Sequence, residues 1–168
     1  MSMNAAADVA ARLRKIAALA ESDAPRAAVQ AISRAGETMT KLKLSSNAHA
    51  LGTKTQAPEG GPPGLISGDL RRGVQRTPAV PSGPGSWSQV LTNIARNGGV
   101  FYGSIHEFGP VTVTARNFPQ LGNPTVGFFG REVTIPRRPW MKPSVEALIT
   151  SRLGTRAACT AFLGVIDI

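Results

Sequence analysis

The chain is short of several things, and each shortage narrows what it does. Cys159 is its single cysteine, which excludes an intramolecular disulfide and any cysteine-based metal cluster. Aromatic residues make up only 5% of 168 positions, so the expected core is modest and built from Leu, Ile, Val and Ala. No apolar run approaches the ~18 residues that a spanning helix needs, and the first residues lack the unbroken apolar core of a secretory signal. These absences lead us to expect a soluble protein made in a reducing cytoplasm. There is no internal repeat, and no run of five Lys or Arg marks a dedicated basic arm.

Glycine (18) and proline (13) are plentiful, which predicts long irregular segments in one domain, or one domain with arms. The net charge is +9, a statement about partners and solubility rather than fold. That charge is spread out: residues 1–65 carry eight basic and five acidic side chains, and residues 66–168 carry eleven and five.

Apolar spacing predicts a helix over residues 4–20, with Val9, Leu13, Ile16 and Ala20 on one face. A membrane-surface role for it is disfavoured by the scarcity of large apolar residues. Ser22, Asp23 and Pro25 then start a second helix with Ala28, Ile32, Ala35, Met39 and Leu42 as its stripe. Residues 1–44 thus read as a helical pair. Residues 45–64 form a Gly/Pro-rich loop or arm without a phosphate-cradling ending. Residues 65–168 form an α+β body with an insertion at 110–134.

Within that body, Ser67 or Asp69 opens a short helix, Thr77–Val80 reads as a strand, and Pro81–Ser86 as a turn. Trp87, Val90 and Ile94 fit a strand or a short helix. Asn97-Gly98-Gly99 signals a hairpin leading into a strand over Val100-Phe101-Tyr102. Val111–Thr114 and Glu132–Ile135 alternate with β-branched residues and form the base of a long hairpin. Pro143 or Ser144 opens a last helix through Leu153 that Gly154 ends, and Phe162–Ile166 is a terminal strand or apolar tail. Cys159 lies among small residues and is expected to be buried.

No catalytic set emerges. His106-Glu107 lacks a second histidine four residues on, because position 110 is proline, and His49 is the only other histidine. The adjacent pair is expected to be structural. The ten carboxylates form no spaced two-metal set, and no Gly-x-Ser-x-Gly turn occurs. We expect no enzyme activity, no cofactor and no metal. A basic nucleic-acid-binding module is the alternative reading. Arg71, Arg72, Arg76, Arg116, Arg137, Arg138 and Lys142 would contact phosphates, and Trp140, Phe118 or Phe128 would stack on bases.

Three segments stand out in order: Leu65-Ile66-Ser67-Gly68-Asp69-Leu70-Arg71-Arg72, Tyr102-Gly103-Ser104-Ile105-His106-Glu107-Phe108-Gly109, and Ile135-Pro136-Arg137-Arg138-Pro139-Trp140-Met141-Lys142-Pro143. Prolines stiffen the last one, while Trp and Arg are residue types enriched at interface hot spots. The trio resembles the neck and tail-completion proteins of tailed bacteriophages, including the virion-morphogenesis proteins of Mu-like phages. It covers roughly residues 65–150. In that family a Gly-x-Leu-Arg-x-Ser helix start precedes a Tyr…Glu-Phe-Gly segment and a Pro-x-Arg-Pro-Phe approach to the C-terminal helix. Here Gly73 stands where the family often has serine, Trp140 replaces Phe or Leu, and the excursion at 110–134 is long.

The resemblance implies a structural virion protein at the head–tail junction or tail, made in the host cytoplasm. It would form a homo-oligomeric ring, sixfold by analogy, that joins other neck and tail proteins on the portal or tail-tube side. The positive charge would suit proximity to packaged DNA, and no membrane is involved. Candidate interface residues are Arg71, Arg72, Tyr102, His106, Glu107, Phe108, Pro136, Arg137, Arg138, Pro139 and Trp140.

Overall fold

The structure, a computed structural model, describes residues 3–46, 60–63, 68–96, 101–114 and 132–166. The fold is α+β. Two helices, α1 (Met3–Glu21) and α2 (Asp23–Ser45), open the chain, broken only at Ser22. Next come α3 (Asp69–Arg72), β1 (Val74–Arg76), β2 (Val80–Gly83), β3 (Ser86–Ser88) and β4 (Leu91–Asn93). Then follow α4 (Tyr102–Phe108), β5 (Val111–Thr114), β6 (Glu132–Ile135), α5 (Met141–Thr150) and α6 (Leu153–Ile166). Among the described residues the strands pair as three two-stranded sheets, β1 with β4, β2 with β3 and β5 with β6.

The chain divides into two compact units. One comprises Met1–Thr38, Arg76–Leu91 and Ala147–Ile168, and the other Met39–Gln75 and Thr92–Glu146. In the first, Ala24 and Leu148 are the buried apolar side chains among the described residues. β2 and β3 fold back over a Pro84-Gly85 turn in which Gly85 takes a φ of 61°, a value that a residue without Cβ adopts freely. The Arg26 guanidinium lies 5.4 Å from the Trp87 ring centre, and Arg76 Nε donates to Glu37 Oε2 at 2.5 Å. In the second unit the core is Leu44, Leu70, Val74, Ala95 and Trp140.

The expected hairpin base is present. Val111 faces Ile135 and Thr114 faces Glu132 in antiparallel register, and the hydroxyls of Thr112 and Thr134 meet at 3.1 Å. The rest of the excursion, including Arg116, Phe118 and Phe128, lies outside the described residues. So do His49 and the Asn97-Gly98-Gly99 turn.

Several local expectations are corrected. Phe101 is not in a strand and Tyr102 opens α4, since an apolar triplet carries no period long enough to separate strand from helix. Thr77–Ala79 lies between strands, although the Thr77 N–H still reaches the Val90 carbonyl at 2.9 Å. Pro81–Gly83 belongs to β2 rather than to a turn. Trp87 lies in β3 and Leu91–Asn93 form β4, while Val90 and Ile94 flank β4 outside any strand.

The C-terminal helix begins at Met141, two residues before the expected start, and breaks at Arg152, whose φ is 56°. Gly154 sits inside α6 rather than ending a helix, with the Leu148 side chain packed where a Cβ would be, 3.2 Å from Leu148 Cγ. Phe162–Ile166 is helical. Cys159 is exposed rather than buried, lining an open apolar depression with Ala28, Ala158, Phe162 and Leu163. On α2 the most buried positions are Ala24, Gly36, Thr40 and Leu44. Ile32 and Leu42, from the expected stripe, are 39% and 62% exposed.

Candidate functional site

The three segments singled out from sequence converge inside the second unit. The reason starts with the first turn of α5. A helix begins with about four backbone N–H groups that have no partner within it. Here those positions are Trp140, Met141, Lys142 and Pro143. Proline has no N–H, and it fits the first turn for that reason. The other three are all taken by one carboxylate: Glu107 Oε2 accepts from Trp140 N at 2.8 Å and Met141 N at 2.9 Å, and Oε1 accepts from Lys142 N at 2.8 Å. Glu107 is only 7% exposed. A negative charge at this end also meets the positive pole of the helix dipole. Glu107 is therefore a cap supplied from a different helix, α4.

Backbone bonds lock the two segments together on either side of this cap. The Arg138 N–H donates to the His106 carbonyl at 2.8 Å, and Arg137 Nε donates to the Glu107 carbonyl at 3.1 Å. The Arg137 carbonyl in turn accepts the Gly60 N–H at 3.2 Å. Ser144 Oγ donates to the Trp140 carbonyl at 2.6 Å, tightening the first turn.

Trp140 is 1% exposed and lies across α4, with Nε1 donating to the Gly103 carbonyl at 3.3 Å. Gly103 is required by this approach: a Cβ there would stand 2.9 Å from Leu70 Cδ1 and 3.4 Å from Trp140 Cζ2. Leu70 comes from α3, so all three segments meet at this one glycine. Asn93 fastens α3 from the other side, donating Nδ2 to the Leu70 carbonyl at 2.6 Å and accepting the Ala95 N–H at 2.8 Å. Gly73, where the resembled family often has serine, lies so close to Ala95 that a Cβ would be 2.7 Å from its backbone nitrogen. The departure thus matches this chain's own packing.

His106 is half-buried, and its Nδ1 is enclosed without a hydrogen-bond partner. Burial first, and the Arg138 guanidinium second, lower its pKa from 6.5 to about 4. The imidazole is therefore neutral near pH 7. Among the described residues no group of three His, Cys, Asp or Glu side chains is disposed to hold a metal.

The candidate interface residues separate into two sets. Glu107, Arg138 and Trp140 are buried, while His106, Pro136 and Pro139 are partly covered. Arg71, Arg72, Phe108 and Arg137 are exposed, Phe108 at 80%. Arg71 Nη1 donates to Ser45 Oγ at 3.0 Å, and Arg72 pairs with Asp69 at the start of the same short helix. Tyr102 opens α4, and its side chain lies outside the described atoms. Near the same helix, the Arg96 guanidinium stacks 3.9 Å above the Phe101 ring, which is 42% exposed.

Sequence reasoning found the three segments but missed Asn93 and the role of Glu107. A local capping box has a readable spacing of three residues. A cap reaching across more than thirty residues has none. The chain matches no family model, no curated protein and no solved structure.

Proposed function

We propose that this chain is a structural, non-enzymatic virion protein of a tailed phage, a ring-forming component of the neck or tail end. One observation carries the reading. The three segments that resemble the neck and tail-completion family are the same three that pack together about Gly103, Glu107 and Trp140. A resemblance scattered over unrelated surface positions would have no such common purpose.

Within this reading the segments have two jobs. Trp140, Glu107 and Arg138 hold the unit together, and the residues they leave on the outside make the contacts. Phe108 offers a large exposed apolar ring, and Arg137 and Arg71 offer exposed positive charge, residue types favoured at interface centres. A ring needs two different patches on each subunit that fit one another and close.

The test is negative-stain microscopy with mass measurement on purified protein and on particles, for wild type, Phe108→Ala and Trp140→Ala. We expect ring-sized assemblies from wild type. Phe108→Ala should keep its folding stability within ~0.5 kcal/mol, as exposed substitutions do, yet assemble at least ~5-fold more weakly, the mark of an interface residue worth ~1 kcal/mol or more. Trp140→Ala should lose folding and assembly together. A protein that stays monomeric and is absent from particles refutes the proposal.

A further inference from the structure

We propose that α6 is an exchangeable arm. The corner at Ser151-Arg152 straightens, α5 and α6 become one helix, and α6 docks on the α1 and α2 of a second copy of this chain. This goes beyond the neck reading and does not rest on it, since a chain with no place in a virion would exchange the arm in the same way.

The corner is the first observation. Among the described residues Arg152 alone, glycines apart, takes a positive φ, at 56°. A residue with a Cβ is disfavoured there, and helices that end in this way usually carry glycine. The same residue opens α6, where Ser, Thr, Asp or Asn would cap the free N–H groups and Arg does not. Its charge and that of Arg156 lie at the positive pole of α6, whose first turn holds no acidic residue. Neither proline nor glycine stands at Ser151-Arg152 to stop a helix from running through. In a continuous helix the N–H groups of Leu153, Gly154 and Thr155 reach the carbonyls of Ile149, Thr150 and Ser151. Local sequence thus favours the straight form, and packing imposes the bend. Leu148 fills two glycine notches, where a Cβ on Gly36 or Gly154 would stand 3.6 Å or 3.2 Å from it. On a straight helix residues 148 and 154 stand ~9 Å apart along the axis.

The arm is also lightly held. Gly154 is the only buried residue of α6, and Leu153 and Leu163 are 45% and 58% exposed. α6 packs on α1. Against α2 it leaves an open depression of about 300 Å³, lined by Ala28 on one side and by Ala158 and Phe162 on the other. A segment that buries so little opens at a fraction of the global unfolding free energy, so the arm leaves its seat while the rest of the chain stays folded.

The fold itself names the occupant of that seat. The surface of α1 and α2 fits α6, as each chain shows with its own arm, so the arm of a second copy fits it equally. Exchange remakes the same contacts and relieves the corner in both chains, against the entropy of bringing two chains together. Short hinges under strain are the setting in which such exchange occurs. The corner, the arm and the part of α1 and α2 that seats it all lie in one compact unit, within residues 1–38 and 147–168.

The experiment is sedimentation of the full chain after prolonged incubation at concentrations reaching on the order of 1 mM, under reducing conditions that silence Cys159. Wild type is compared with Arg152→Gly and Arg152→Asn, which sit easily at positive φ and extend a helix poorly, and with Arg152→Ala, which does the reverse. Far-ultraviolet circular dichroism confirms that each variant keeps its helices. Wild type should rise from 17.6 kDa toward twice that mass. Arg152→Ala should associate at least as strongly, and the glycine and asparagine variants at least ~10-fold more weakly. Spin labels on Cys159 and on Ala147→Cys, in labelled chains diluted with unlabelled ones, read the corner itself. Twelve residues of continuous helix span ~18 Å, the bent corner holds the labels closer, and the distance should lengthen only in the dimer. Wild type and Arg152→Ala that both stay at 17.6 kDa overturn the proposal. So does association that Arg152→Gly leaves unchanged, or a dimer whose label distance stays short. Either of these assigns the contact to another surface and leaves the ring reading standing.

Discussion

Replacing Glu107 by glutamine tests the cap on which the second unit depends. The wild-type carboxylate takes three backbone N–H bonds, two on Oε2 and one on Oε1, at 2.8 to 2.9 Å. Glutamine keeps one acceptor oxygen and turns an NH₂ toward the amides that the other oxygen served. Whichever way it is oriented, at least one N–H at the start of α5 then faces a donor. A buried donor without a partner costs ~1–3 kcal/mol, and loss of the charge at the helix start adds ~0.3–1 kcal/mol. The expected loss for Glu107→Gln is therefore about 1–4 kcal/mol. Glu107→Ala bares all three donors and should cost about 3–6 kcal/mol, tempered by whatever water enters. Against a total of ~5–15 kcal/mol for an ordinary domain, the alanine variant approaches unfolding. Urea titration at neutral pH, followed by tryptophan fluorescence, measures both variants, because Trp140 sits beside the cap. A loss below ~0.5 kcal/mol for glutamine, the level of an ordinary surface change, would refute the reasoning.

His106 sets a pH dependence of known sign. Its folded pKa lies near 4 and its usual value is 6.5, so the unfolded chain binds the proton first as pH falls. This contribution to stability is full above about pH 6.5, declines toward about pH 4, and amounts to at most about 3.4 kcal/mol, reduced by solvent screening at the partly covered ring. His106→Leu should flatten that part of the urea-midpoint profile, and an unchanged slope would show that other groups set it. Gly73→Ser should destabilise by ~1–3 kcal/mol, because its Cβ meets the Ala95 backbone, which has little room to give. Thermal unfolding reads this directly, and a neutral result would mean that the loop carrying Ala95 yields. Gly103→Ala should cost a similar amount by pressing on Leu70 and Trp140. If it is tolerated while Gly73→Ser is not, the three segments are held more loosely than the geometry implies.

Much of the fold is legible in the sequence, and the failures have identifiable causes. The helical pair declares itself through a 3.6-residue period and the Ser22–Pro25 corner. The β5–β6 base does so through alternating Val and Thr. Breaks without glycine or proline are invisible, as at Arg152, where a left-handed residue divides α5 from α6. Glycine also misleads in the other direction: Gly154 looks like a stop yet lies within α6, where its missing side chain receives Leu148. On α2, alanine and glycine blur the apolar stripe, so its large residues mark a face that is partly exposed, while Gly36 and Thr40 are buried. Tertiary packing overrides local pattern in each case.

The candidate site was legible as three ordered segments but not as chemistry. His106-Glu107 invites an acid–base reading because adjacent imidazole and carboxylate groups are what catalysis uses. What decides the matter is a residue with no functional group at all. Pro143 removes the one N–H that would compete for the carboxylate, and the three that remain match its two oxygens. Glu107 is thus committed to the backbone of α5 and has no free face to offer a substrate. The same commitment draws Trp140 inward over Gly103, so the residue that looks most like an interface anchor serves the unit's own core. Under the neck reading we propose, docking would fall to what this packing leaves outside, with Phe108 the first candidate. Phe108, 80% exposed at the end of α4, is therefore the side chain at which the proposed contact is tested most directly.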